Sequence, residues 1–267
     1  MANLSLFHRV RDALACPEIE QKLSLVGTLA RDGQAGSLRI RREDFVPPGE
    51  RGMPPRLVSV QPSHLPRRRA GTGAGLAVLF HSVAHIEYTA IDLALDHACR
   101  FCEFPDSYYL AWINVAAEEA EHFALLRERL RHYGHDYGDF PVHNSLWEMA
   151  QRTANDALAR MGLVPRLMEA RGLDATPPIQ EKLKRAGDLE GARILDIVLR
   201  DEIGHVALGD QWFRWLCRER ELAVESTYRD LIAAYRAPWP SAPLNMPARL
   251  AAGFTAEELS GLMGWPR

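Results

Sequence analysis

Residues 118–122 read EEAEH, inside the run WINVAAEEAEHFALLRERL (112–130), and the reading of that run decides the rest of the chain. Trp112, Val115, Ala116, Glu119, His122, Phe123 and Leu126 recur at helical spacing, so a stripe that should face a core carries a carboxylate and an imidazole. Side chains three residues apart differ by about 60° around a helix and can reach a single metal ion. Glu119 stands in that relation to His122, with Glu118 as a rival donor one position earlier. One E-x-x-H on a charged helix is ordinarily a solvated pair. A site needs more copies.

A second copy lies in RDEIGHVALGDQW (200–212), as Glu202 and His205. Two further segments each offer one inward glutamate. In AHIEYTAIDLAL (84–95), Glu87 shares a face with Phe80, Val83, Ala84, Ile91 and Ala94. In MGLVPRLMEARGLD (161–174), Glu169 follows Pro165 by one turn, and the missing proline N–H should bend the helix just before it. Glu87 precedes Glu119 by 32 residues and Glu169 precedes Glu202 by 33, so the chain repeats one arrangement: a helix with Glu, then a helix with E-x-x-H. A glutamate from each of two helices and an E-x-x-H from each of two others is the ligand pattern of carboxylate di-iron and di-manganese bundles. The expected metal ligands are Glu87, Glu119, His122, Glu169, Glu202 and His205. Carboxylate with imidazole suits iron, manganese or zinc. Four close carboxylates would repel one another without a cation.

The segments around these residues are long. Helical periodicity spans 76–103, 107–133, 143–171 and 188–220, separated by Pro105, by YGHDYGDFP and by GLDATPP. Strand signals are nearly absent. The expected fold is all-α, a four-helix bundle of residues 76–220 within one domain spanning 1–267. Residues 4–31 read as one or two short amphipathic helices, with Pro17 able to open the second. Residues 45–75 hold six prolines and five glycines, which precludes a regular helix and suggests an extended segment wrapped along the bundle. After 236 the chain turns irregular and then forms short helices, the last with the capping-box spacing Thr255–Glu258.

Composition narrows the function. At 47% hydrophobic and 25% charged residues the chain is ordinary for a globular protein, and a formal charge of −3 gives no pull toward nucleic acid. Arg67–Arg69 read as a solvated loop or as partners for carboxylates. Charges interrupt every apolar run before membrane-span length, no signal peptide is apparent, and the expected location is the cytoplasm. Cys99 and Cys102 form a lone C-x-x-C and read as packing thiols. His81 and His85 share a stripe with Tyr88 and Asp92, about 200° from Glu87 in the case of His85, and read as hydrogen-bonded interface histidines. Trp112 and Trp212 read as core.

FHSVAHIEYTAIDLAL (80–95), EEAEHFALL (118–126), MEARGLDATPP (168–178) and DEIGHVALGDQWF (201–213) together resemble the ferritin-like proteins catalogued as a domain of unknown function, the 455 family. The resemblance covers about residues 40–260, including the tail LNMPARLAAGF (244–254). A more distant similarity is to the di-iron hydroxylase that acts on a modified tRNA adenosine. The resemblance implies a ferritin-like bundle and, by analogy with ferritin-like oxygenases, a supporting carboxylate just before each ligand glutamate. Asp201 would then orient His122, and Glu118 would orient His205, with Asp201 the better placed.

The expectation for function is a di-metal, di-iron oxidoreductase that activates dioxygen or peroxide, a hydroxylase or oxygenase of an unidentified organic substrate. Manganese or a mixed iron–manganese pair is the alternative metal content. No flavin or nicotinamide motif appears, so electrons would come from a partner protein or co-reductant. Iron handling or peroxide scavenging is the second reading, and a structural or RNA-associated protein the third.

Overall fold

The computed structural model describes residues 5–66 and 72–264, and the described residues are helical throughout their regular structure, with a lone bridge between Ser59 and Val142. The all-α expectation holds. Arg67–Arg69 lie outside the described residues. Two compact units are present, residues 1–144 and 145–267.

The first unit contains α1 (Leu6–Ala15), α2 (Ile19–Gln34), α3 (Gly73–Arg100) and α4 (Asp106–His132). Thr72 starts α3 by accepting a hydrogen bond from the Gly75 amide, and Pro105 stands immediately before α4. Arg129, Arg131 and His132 oppose the negative end of the α4 dipole, and Gly134 follows in the left-handed conformation at φ +80°. Contacts between α3 and α4 fix their direction. Phe80 stacks on Tyr133, Tyr88 meets Phe123, and His97 meets Trp112, so position rises on one helix as it falls on the other. The pair is antiparallel. By composition α3 is apolar and long enough to cross a membrane, contrary to the sequence reading, but most of it is buried as a core helix.

The proline-rich segment wraps within this unit. The Gly52 amide donates to Leu14 O, and a Cβ on Gly52 would lie 2.2 Å from Ala15 O, so only glycine permits that approach. Arg51, one residue earlier, reaches into the interior and donates to Asp92 on α3 and to Asn144. Lys22 of α2 donates to the same Asp92 and to Gly52 O, 3.1 Å away. Both Lys22 and Asp92 are 0% exposed. A buried ion cluster therefore fastens α2 and the wrapped segment to α3.

His81 and His85 fasten the loop that follows α4. His81 Nε2 accepts from the amides of Gly138 and Phe140, at 2.9 and 3.4 Å, and His85 bonds the Tyr137 hydroxyl and His143 O. Burial pushes the His81 pKa down to about 4, and burial with the Arg51 charge pushes His85 down to about 3. Both are neutral in the fold and take up protons near 6.5 when unfolded, so their contribution is complete above pH 6.5 and is lost as pH falls below it. With a slope approaching 1.4 kcal/mol per unit for each histidine, about 3 kcal/mol should disappear between pH 6.5 and 5. Urea unfolding at those two values checks this, and His85→Asn should flatten the dependence. Equal midpoints in the parent chain would contradict it.

The second unit contains α5 (Ser145–Arg152), α6 (Ala157–Leu163), a π-helical turn (Val164–Glu169), α7 (Ala170–Arg185), α8 (Leu189–Glu219), α9 (Val224–Ala234), α10 (Met246–Ala251) and α11 (Ala256–Gly264). The expected third helix, 143–171, is corrected in its interior and at its C-terminal end. It breaks at 153–156, where Thr153 bonds back to Met149 O and Asp156 caps a new helix through the Leu158 amide. It then continues through Pro177 and Pro178 to Arg185, where GLDATPP had suggested a stop. Pro177 has no N–H for Leu173 O, and the Asn245 side chain supplies a donor 3.0 Å from that oxygen instead. Asp188 caps α8 through the Gly191 amide. Pro165 marks the expected irregularity, and its form is the π turn.

Candidate metal centre

Glu87 sits midway along α3, and Glu119 and His122 sit midway along α4. The antiparallel pairing sets these midpoints side by side. His122 Nδ1 lies 3.3 Å from Glu87 Oε2 and 3.3 Å from Glu119 Oε2. Glu87, Glu119 and His122 are 3%, 2% and 1% exposed, and each offers a ligand atom within 4.8 Å of the others. Glu118 and Glu121, by contrast, are exposed on the outer face of α4. Burial thus selects Glu119 from the three acids of EEAEH.

The electrostatics show what these residues favour at their centre. Burial alone would lower the His122 pKa, but its hydrogen bonds and charge interactions with Glu119 and Glu87 outweigh that and raise it to about 11. Two buried carboxylates hold a proton on the imidazole nitrogen between them. The site demands a positive charge, and a divalent cation meets that demand with the same donors. The donor set fits a metal ion.

On α8 of the second unit, Glu202 and His205 have the same i,i+3 relation. Both are buried, and His205 Nδ1 lies 3.9 Å from Glu202 Oε1. Asp201 is half-buried and bound by the Arg200 guanidinium, 2.8 Å away. Glu169 is half-buried at the end of the π turn. Glu87, Glu119, His122 and Glu202 are all buried, and donors of these kinds could hold a metal ion.

Other residues resolve as packing. Trp112 and Trp212 are buried, and His81 and His85 serve the loop rather than the centre. All four cysteines are free thiols. Cys102 lies beyond the end of α3 at Arg100, so it shares no helix face with Cys99. Sequence reading missed the Lys22–Asp92–Arg51 cluster. A signal was present at Lys22, which falls on the stripe of Val26 and Leu29, but Arg51 lies in a proline-rich stretch without periodicity.

Comparison with known proteins extends over nearly the whole chain. An uncharacterized protein of Haemophilus influenzae is 40% identical over 264 residues, covering 95% of this chain and 92% of its own. No solved structure matches. The model of the family described as "Protein of unknown function (DUF455)" matches residues 15–260. The chain belongs to the DUF455 family.

Proposed function

We propose that the chain is a di-metal carboxylate oxidoreductase, with two iron ions, that activates dioxygen to oxidise an organic substrate. Glu87, Glu119 and His122 would supply one half of the ligand set, and Glu169, Glu202 and His205 the other. The observation that carries this reading is the buried meeting of Glu87, Glu119 and His122 about a position that favours positive charge. The matching E-x-x-H on α8 and the near-equal 32- and 33-residue intervals support it. A ferritin-like bundle of α3, α4, the α6–α7 rod and α8 belongs to the same proposal, as does a cytoplasmic location.

Iron bound there would supply the electrons and Lewis acidity for reducing dioxygen or peroxide. The chain's own residues do the rest. Four carboxylates balance the charge of two divalent ions, and the imidazoles add donors without adding charge. Buried Tyr88, Phe123 and Trp112 along α3 and α4 keep the surroundings dry, which strengthens each charge interaction. Electrons for repeated turnover would come from a partner protein or co-reductant.

The test is exposure of the anaerobically reduced, iron-loaded chain to oxygen, following oxygen consumption and the optical spectrum. Uptake of about one dioxygen per chain, with iron retained and a new near-ultraviolet band, supports an oxygenase. Continued conversion of added ferrous iron to a mineral core, with no organic product, would replace it with iron handling.

A further inference from the structure

Glu169 ends the π turn, and that turn is braced by side chains from the C-terminal part of the second unit. Arg166, in its middle, is fully buried. Its Nε donates to Asp210 Oδ1 at 2.6 Å and its Nη2 to Glu258 Oε1 at 2.8 Å. The guanidinium carbon lies 4.0 Å from the Tyr228 ring centre and 4.5 Å from that of Phe254. Arg214 takes the other oxygens of the same two acids, Asp210 Oδ2 and Glu258 Oε2, each at 2.7 Å. Two cations and two anions balance.

Glu258 is also the capping-box residue of α11, accepting from the Thr255 amide at 2.8 Å. One carboxylate thus joins the start of α11 to the π turn. The backbone is held as well: Tyr228 Oη donates to Arg166 O, Arg249 Nη2 to Ala170 O, and Asn245 Nδ2 to Leu173 O. A Cβ on Gly209 of α8 would lie 2.4 Å from Pro165 Cβ, so α8 meets the turn at the one residue type that permits it.

A π turn inserts one extra residue, so everything beyond it is rotated by about 100° relative to an uninterrupted α-helix. Loss of the bulge would swing Glu169 off its face. Apolar packing could hold such a turn at less desolvation cost, whereas a hydrogen-bonded ion network selects one register. We infer that Arg166 and Glu258 are positioning residues for Glu169, through which the C-terminal segment sets the geometry of the metal centre. The inference rests on the reading of Glu169 as a metal ligand.

Cobalt(II) titration of the full chain tests it, reading affinity and the visible absorption of the bound ion. Glu258→Gln should keep the helical circular dichroism while weakening cobalt binding roughly 10- to 100-fold. Its absorption should change in the same direction as in Glu169→Gln. Combined with Glu169→Gln, it should weaken binding no further, because both act through one carboxylate. Tyr228→Phe, which removes a single hydroxyl, serves the same cycle with a smaller loss should Glu258→Gln not fold. Wild-type affinity and spectrum in both variants, or losses that add in full to that of Glu169→Gln, would overturn the inference alone. A parent chain that takes up no cobalt would overturn the metal reading and the inference with it.

Discussion

Asp92→Ala should destabilise the chain by about 3–5 kcal/mol, the scale expected when one partner of a buried ion pair is removed. Both Asp92 oxygens are used, one by Lys22 and the other by Arg51, and burial raises the Asp92 pKa while those two cations lower it. Burial likewise lowers the Arg51 pKa. Without Asp92, two cations remain in the interior, with neutral groups still at hand: Gly52 O for Lys22, and Thr89 and Asn144 for Arg51. Urea unfolding at constant slope measures the loss. A change under about 1 kcal/mol would mean that the cluster is more hydrated than its burial implies. Lys22→Met combined with Asp92→Leu should recover part of the loss, because it removes the closest pair together.

His122→Ala should cost the chain at least one of about two metal ions after anaerobic loading with ferrous iron and desalting. In the proposed site the imidazole is the one donor of its half that would bind a metal without adding negative charge, and its Nδ1 lies 3.3 Å from both Glu87 and Glu119. Without it the two carboxylates repel, and in the metal-free chain one should take up a proton. Glu202→Ala should lose an ion in the same way, since it removes a buried carboxylate from the other half. Unchanged stoichiometry in both variants would show that other residues are the ligands.

The elements most legible in the sequence are those whose ends are set locally. The expected segments 76–103, 107–133 and 188–220 correspond to Gly73–Arg100, Asp106–His132 and Leu189–Glu219, because Pro105, Gly134, Gly187 and Asp188 act within a few residues of themselves. The third helix failed twice, at 153–156 on the local bonds of Thr153 and Asp156 and at its C-terminal end on distant chemistry. Whether the chain passes Pro177 is decided by Asn245, whose amide bonds Leu173 O from far along the sequence. Glu87, Glu119 and His122 were legible because charges on an apolar stripe stand out against the helical period. Arg166 was not, because its partners Asp210 and Glu258 lie far along the sequence. Arg51 was hidden for the same reason.

Anomalous diffraction at the iron edge, from crystals of the iron-loaded chain, tests the central claim most directly. The account predicts strong anomalous density within bonding distance, about 2.0–2.3 Å, of the carboxylates of Glu87 and Glu119 and of His122 Nδ1. Iron bound elsewhere, or His122 still hydrogen-bonded to both glutamates with no density between them, would contradict it.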